Sequence, residues 1–250
     1  MKFVRFQLNG TVHQGILEGD QVRAIQGDMF RDFTPGTTSY PVAQVKLITP
    51  CLPSKIVCIG LNYRDHAAEV NLPVPEEPIM FIKPSTAVIG PEEDILYPEL
   101  SQEVDYEAEL AVVIGKTARN VPLEQALDYV LGYTCANDVT ARDLQRKDGQ
   151  WTRAKSFDTF LPLGPYINTE VDPLNLTIEL LLNGQVKQSS NTGQMVFNVR
   201  ELVSRISQVM TLLPGDVLLT GTPNGISQMR PGDQVEVKIA GLGVLRNYLR

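Results

Sequence analysis

The stretch Glu107-Ala108-Glu109-Leu110-Ala111-Val112-Val113-Ile114 decides how this chain is read. Its apolar part carries no polar alternation, the pattern of a strand buried on both faces. At its mouth stand two carboxylates spaced i, i+2. Side chains alternate across a strand, so Glu107 and Glu109 are expected on one side, about 7 Å apart. An unpaired buried carboxylate is very costly, so the pair must be solvated, ion-paired or ligating something. Two acids so placed can converge on one cation, and oxygen-only ligation suits a hard ion, Mg²⁺, Mn²⁺ or Ca²⁺. By spacing alone the pair reads first as a solvated strand end, because Glu103 and Asp105 share its parity and acidic strand ends are usually exposed.

Outward from this strand, short β segments dominate. Residues 2–8 alternate, Asn9-Gly10 marks a hairpin, and Glu18-Gly19-Asp20 marks a turn before residues 21–25. This predicts a small N-terminal β meander, residues 1–50. Within it, residues 31–44, with Pro35-Gly36 and Ser39-Tyr40-Pro41, read as a linker. A second region, residues 51–250, opens with a strand at 55–59 stopped by Gly60. Residues 62–70 suit a short helix capped by Asn62, which Pro73, Pro75 and Pro78 prevent from extending. Strands are expected at 79–82, 107–114 and 131–136, and a helix at 123–130 behind Pro122. A hairpin, 174–182 with 185–188, turns on Asn183-Gly184. Residues 199–210 form the best helix, with Val199, Leu202, Val203, Ile206, Val209 and Met210 on one face behind Asn198 as cap. Pro214-Gly215-Asp216 and Pro231-Gly232-Asp233 are turns before strands at Val217 and Val235. Many strands, few short helices and no regular strand–helix alternation argue against Rossmann and TIM architectures. The expectation is a β-rich α+β fold with a sheet rolled into a barrel-like core.

Composition removes several functions. A chain of 250 residues with 43% hydrophobic content makes one large domain, or one domain with a small appendage. A net charge of −7 disfavours a nucleic-acid groove. Cys51, Cys58 and Cys135 lack CxxC spacing and read as reduced thiols of an intracellular protein. No signal peptide and no membrane-spanning segment is legible, so cytoplasmic residence is expected. His13 and His66 are the only histidines, which excludes a zinc site built on several of them. Walker A, GxGxxG and GxSxG patterns are absent, so NTP, NAD and serine-hydrolase chemistry lack their parts.

Three further clusters bear on the Glu pair. Asp138, in Asn137-Asp138-Val139-Thr140-Ala141-Arg142-Asp143-Leu144-Gln145, follows an apolar strand and is a candidate third oxygen ligand; alone, it reads as an N-cap for the turn over 139–146. Lys155 lies in mostly apolar surroundings, though a lone lysine is usually solvated. His66 and Glu69, three apart, would be neighbours on a helix face. A carboxylate beside an imidazole orients it and raises its basicity, which suits a general base. An ordinary surface pair has the same spacing.

Six blocks in order carry a resemblance. They are residues 55–63 with Asp65-His66; Phe81-Ile82-Lys83-Pro84-Ser85; Glu107-Ala108-Glu109 with Val113-Ile114-Gly115-Lys116; residues 137–145; Ala154-Lys155-Ser156-Phe157-Asp158; and Gly221-Thr222-Pro223-Asn224-Gly225. Together, over roughly residues 51–248, they strongly resemble the fumarylacetoacetate hydrolase superfamily. The resemblance implies a mixed β-roll catalytic domain and a homodimer. It implies Mg²⁺ or Mn²⁺ held by Glu107, Glu109 and Asp138. It implies Lys155 against the substrate's oxygens with Arg142 and Gln145 nearby, and a Gly221-Thr222 loop receiving the substrate carboxylate. His66 and Glu69 would sit on a lid, residues 62–72, and activate water.

The chemistry expected from such parts begins with a small 2-oxo acid chelating the ion through carboxylate and ketone, so that a metal-stabilised enolate forms when a bond at C3 breaks. Cleaving an acyl group with water is acylpyruvate hydrolysis. Losing a carboxylate is decarboxylation of an oxaloacetate-like acid. Moving a proton is tautomerisation or isomerisation of an oxaloacetate or hydroxymuconate-type diacid. A non-catalytic metal-binding scaffold is the remaining alternative.

Overall fold

A computed structural model describes all 250 residues. The strands of the first half are β1 (Lys2–Leu8), β2 (Thr11–Glu18), β3 (Gln21–Gly27), β4 (Phe33–Pro41), β5 (Lys46–Ile48), β6 (Ile56–Gly60), β7 (Ile79–Lys83), β8 (Val88–Ile89), β9 (Asp94–Ile95), β10 (Val104–Tyr106) and β11 (Ala108–Ile114). Those of the second half are β12 (Val130–Asn137), β13 (Thr140–Ala141), β14 (Leu161–Asn168), β15 (Thr177–Leu182), β16 (Gln185–Asn191), β17 (Val217–Leu219), β18 (Ser227–Met229), β19 (Gln234–Ile239) and β20 (Gly243–Leu249). Four α-helices interrupt them: α1 (Arg64–Glu69), α2 (Arg142–Asp148), α3 (Thr152–Lys155) and α4 (Val199–Val209). The fold is the β-rich α+β roll that the pattern predicts.

The largest sheet runs β4-β3-β2-β1-β14-β12-β11-β17-β6-β7, mostly antiparallel, with β17 and β6 parallel. A second sheet runs β16-β15-β19-β20-β9, and a small third one β13-β10-β18. Strand β11 lies between β12 and β17, so its backbone is paired on both sides. Its side chains explain its unbroken apolar sequence. Leu110, Val112 and Ile114 enter the larger core with Leu202 and Ile206 of α4 and Val237 and Leu245 of the second sheet. Ala111 and Val113 enter a second core with Ile56, Cys58, Leu161, Leu163 and Leu219. Each Leu, Val or Ile side chain so buried contributes about 1.5–3 kcal/mol, which anchors β11 in the frame around the site. Helix α4 closes the larger core and starts as expected: Asn198 accepts from Glu201 N, and Glu201 reaches back to Asn198 N at 2.9 Å, a capping box.

Several expectations are corrected. Residues 31–44 are not a linker, because β4 pairs along β3 as an exposed edge strand, where prolines cost no ladder bond. The helix behind Pro122 is a 3-10 segment, Leu123–Tyr129. Helix α1 begins at Arg64 without a side-chain cap, since Asn62 is occupied elsewhere. The strand at 107–114 breaks at Glu107: β11 starts at Ala108, while β10 leaves to the small third sheet. Strand β14, buried throughout and central to the main sheet, lay in a stretch for which no element was expected. No helix is long and apolar enough to cross a membrane.

Candidate active site

The acids meet because of parity and register. Glu109 pairs with Ala136 across β11 and β12. Ala111, Val113 and Ala136 face the second core, so Glu109 and Asp138, each two residues from one of them, continue that face, Glu109 near the start of β11 and Asp138 just past the end of β12. Glu107 reaches the same point from the break: its N–H donates to Asn137 Oδ1 at 2.9 Å, and its carbonyl accepts from Asp138 N at 2.9 Å. One oxygen from each of the three carboxylates lies within 4.8 Å of the others. All three residues are buried. Asp138 is not an N-cap, because α2 starts four residues later, with Ala141 at the cap position and no side-chain cap.

Cations surround the three acids unevenly. Lys155, on α3, donates from Nζ to Glu107 Oε2 and to Asp138 Oδ2, each at 2.8 Å. Lys83 Nζ, fully buried, donates to Asp138 Oδ1 at 2.5 Å and to Val139 O at 3.0 Å. Arg142 holds the far oxygen of Glu107 through Nη2 at 2.5 Å, with its Nε on Asp105 at 2.8 Å and Nη1 on Gln145 Oε1 at 2.6 Å. Glu109 has only the Gly221 N–H, at 2.6 Å.

The titration behaviour follows this distribution. Burial pushes Glu107 up, but Lys155 and Arg142 outweigh it and hold the carboxyl well below its usual range. Burial, then the charges of Asp138 and Glu107, push Glu109 well above its usual range. Burial pulls Lys155 down, yet Asp138 and Glu107 beside it raise it above an ordinary lysine. For Lys83, burial wins over the pull of Asp138 and lowers it. Three buried oxygen donors with an undercompensated Glu109 are what a hard divalent cation would relieve, so the residues fit Mg²⁺ or Mn²⁺.

Above the acids lies a cavity of about 320 Å³. Glu107, Glu109, Asp138, Lys155, Arg142, Gln145, Thr222 and His66 all line it. Its apolar wall includes Leu61, Phe81, Trp151 and Ile226. Trp151 lies edge-on to Phe81, ring centres 5.2 Å apart, and over Gly60, where a Cβ would come within 2.4 Å of the indole. His66 is 8% exposed, its Nδ1 2.9 Å from Glu69 Oε2, and Gly225 N donates to Glu69 Oε1 at 2.9 Å. Helix α1 is thus docked on the 221–225 loop, and one turn earlier Ser190 Oγ donates to Asp65 at 2.5 Å. Gly221 lies beneath the wall and gives its N–H to Glu109, its φ of 90° and its approach to Asn62 suiting glycine.

Three positioning residues escaped the sequence reading. Lys83 carried a signal: it shares parity with Phe81 at the end of a strand, and an inward lysine demands a buried anion. Asn62, fully buried, donates to Phe197 O and Thr220 O and accepts from Phe197 N, tying the base of α1 to the strand end before Gly221. Gln188, from polar β16, accepts from Ala108 N at 2.9 Å and donates to Thr222 Oγ1 and Pro223 O, both at 2.9 Å. It links the backbone between the two glutamates to the 221–225 loop, and nothing in its surroundings in the sequence distinguishes it.

Comparison with known proteins agrees with this frame. The family described as fumarylacetoacetate (FAA) hydrolase C-terminal matches residues 55–250, and one described as Rv2993c-like, N-terminal matches residues 1–50. The mitochondrial oxaloacetate tautomerase FAHD2A of Bos taurus is 48% identical over 220 residues, 83% of this chain and 70% of the bovine protein. The structure of 5-carboxymethyl-2-hydroxymuconate delta-isomerase from Mycobacterium smegmatis superposes with a TM-score of 0.94 at 43% identity, covering 100% of this chain and 99% of that one. That of maleylpyruvate hydrolase from Sphingobium sp. SYK-6, in complex with manganese(II) and pyruvate, gives 0.84 at 30% identity, covering 100% and 98%. These relatives are enzymes of one superfamily acting on small molecules, and on this basis the chain belongs to the fumarylacetoacetate hydrolase family.

Proposed function

We propose that this protein is a Mg²⁺- or Mn²⁺-dependent enzyme acting on small 2-oxo acids, by hydrolysis of acylpyruvates or decarboxylation of oxaloacetate-like acids. The observation that carries the reading is the meeting, in one cavity, of three buried carboxylates, a buried lysine and a His–Glu pair. Glu107, Glu109 and Asp138 would hold the ion, which when bound supplies Lewis-acid stabilisation of negative charge on the substrate's oxygens. The remaining steps fall to the side chains. Lys155 places positive charge beside the oxygen that becomes anionic as the bond at C3 breaks. Gln188 donates to Thr222 Oγ1, which leaves the threonine proton free for a substrate carboxylate. Glu69 engages His66 Nδ1, leaving Nε2 to take a proton from water in hydrolysis. Trp151, Phe81 and Ile226 keep bulk water from the reacting atoms.

A second reading is tautomerisation of oxaloacetate or isomerisation of a hydroxymuconate-type diacid, in which His66 moves a proton at C3 and no carbon–carbon bond breaks. The 48% identity to an oxaloacetate tautomerase favours it. One panel separates the readings: acetylpyruvate, oxaloacetate and a hydroxymuconate-type diacid, each with Mg²⁺ or Mn²⁺ after chelator treatment. Cleavage of acetylpyruvate or release of CO₂ supports the first; enol–keto exchange without CO₂ supports the second. Undiminished activity in chelator ends the metal requirement. Metal binding without any turnover, with small-acid binding unchanged in Lys155→Ala, leaves a non-catalytic scaffold. The proposal extends to a homodimer, checked by mass in solution, and to a division into residues 1–50 and 51–250, supported by the two family matches. Cytoplasmic residence is supported by three buried, unpaired cysteines.

A further inference from the structure

We infer that Trp151 sets the length of substrate the cavity takes, by walling it off from an apolar hollow beyond. This rests on the 2-oxo acid reading above and narrows it to acids with a short chain beyond C3. The wall is tied to the chemistry through its own helix. Trp151 stands at the N-cap of α3, and its carbonyl accepts from Lys155 N at 3.1 Å. Residues four apart in a helical turn share a face, with Cβ atoms about 5–6 Å apart, so the indole and the lysine are neighbours. Phe81 spans the same gap from β7. Its ring centre lies 5.2 Å from Lys155 Nζ and 5.2 Å from the centre of the indole. An acid held at the three carboxylates, with its oxygens toward Lys155, meets this aromatic pair within a few bonds.

The indole is seated as well as stacked. It rests on Gly60, the last residue of β6, where an added Cβ would come within 2.6 Å of Cη2. Gly60 is not among the glycines with positive φ, so its backbone does not call for glycine. What excludes a side chain there is the indole itself. The chain thus gives up a side chain at a strand end to hold Trp151 in one place.

Beyond the pair there is room. Phe81 also lines a second hollow, of about 650 Å³, which Met80, Ile82 and Met210 make largely apolar. Gln150 and Thr152, the neighbours of Trp151 in the chain, line that hollow, whereas Trp151 lines the cavity over the acids. Phe81 and Trp151 are therefore the partition between the two spaces. A short chain ends at the partition, and a longer one is turned back by it.

The test uses unbranched 2-oxo acids of growing chain, from 2-oxobutanoate to 2-oxooctanoate, as ligands of the Mn²⁺-loaded protein, with affinity read by calorimetry. Trp151 is the only tryptophan of the chain, so its emission reports contact of a bound acid with the wall. In the wild type, 2-oxobutanoate should shift that emission, and affinity should fall roughly tenfold or more by 2-oxooctanoate, as overfilling a packed space does. Trp151→Ala should bind 2-oxooctanoate roughly tenfold or more tighter than the wild type does, because each methylene given an apolar surface contributes about fourfold. Trp151→Leu, which keeps a smaller apolar wall, should fall between. Gly60→Ala, which unseats the indole, should weaken the length limit, and should not alter it further when combined with Trp151→Ala. Affinity independent of chain length in the wild type, emission unmoved by a bound acid, or a length limit unchanged in both Trp151 variants overturns the role of Trp151 and leaves the 2-oxo acid reading intact. If no acid of the series binds the Mn²⁺-loaded protein, both fall.

Discussion

At pH values where Glu109 would ionise, replacing it by Gln should stabilise the metal-free protein and remove most of its response to metal. Glu109 is 1% exposed, has one hydrogen-bond donor, and shares its site with Glu107 and Asp138. Its ionised form therefore bears most of the unrelieved repulsion in the metal-free site, and a neutral amide removes it while still accepting from Gly221. In the wild type, an ion at a hundredfold excess over its Kd contributes about 2.7 kcal/mol to the folded state. For a chain of this size that is a rise of about 5–11 °C in Tm. A hundredfold weaker site at the same concentration retains about 0.4 kcal/mol, a rise of under about 2 °C. The assay is thermal unfolding of chelator-treated protein, with and without Mn²⁺ or Mg²⁺, repeated across pH. Because burial and its acidic neighbours raise Glu109 above its ordinary value, the metal-free fold holds a proton that the unfolded chain has lost. Its stability accordingly falls as pH rises from the ordinary carboxylate range through the raised value. The ion needs the ionised form, so the metal-induced rise grows across the same window, and Glu109→Gln should flatten both trends. A full metal response in the variant, or a metal-free variant less stable than the wild type above the raised value, would refute the reasoning.

Other substitutions separate binding, chemistry and architecture. His66→Ala should lower acylpyruvate hydrolysis by roughly a hundredfold or more while oxaloacetate decarboxylation falls much less, because only the first needs a base for water; equal losses would assign His66 to closure or binding. Lys83→Met, which strips Asp138 and Val139 O of a fully buried partner, should cost about 3–5 kcal/mol in denaturant unfolding of the metal-free protein; a loss under 1 kcal/mol would show that the pair contributes little. Gln188→Leu should raise KM more than it lowers kcat, and should destabilise by about 1–3 kcal/mol for each buried group left unpaired; an unchanged KM would free the Thr222 loop from its dependence on β16.

Much of the frame was legible in the sequence because local chemistry dictates it. Asn9-Gly10 takes positive φ at both residues, as a tight hairpin demands, and the flanking strands follow. The apolar face of 199–210 and its Asn198–Glu201 cap specify α4 almost to its ends. The apolar run after Glu109 specifies a doubly buried strand, and the six ordered blocks point to three acids, a lysine and a His–Glu pair that the fold does bring to one cavity, Glu69 through its bond to His66. What stayed hidden depends on partners distant in the chain. Residues 33–41 lack an apolar rhythm because β4 is an exposed edge, and only the ladder offered by β3 makes them a strand. Asn62 looked like a helix cap because an asparagine before a helix usually is one; Phe197 and Thr220 claim it instead. Gln188 lies in a polar hairpin strand, and its burial arises only when that hairpin folds against Ala108 and the 221–225 loop. Side-chain periodicity is a property of the chain itself and can be read from it. The pairing of a buried polar group with its partner is a property of the packed molecule, and only the tertiary structure decides it.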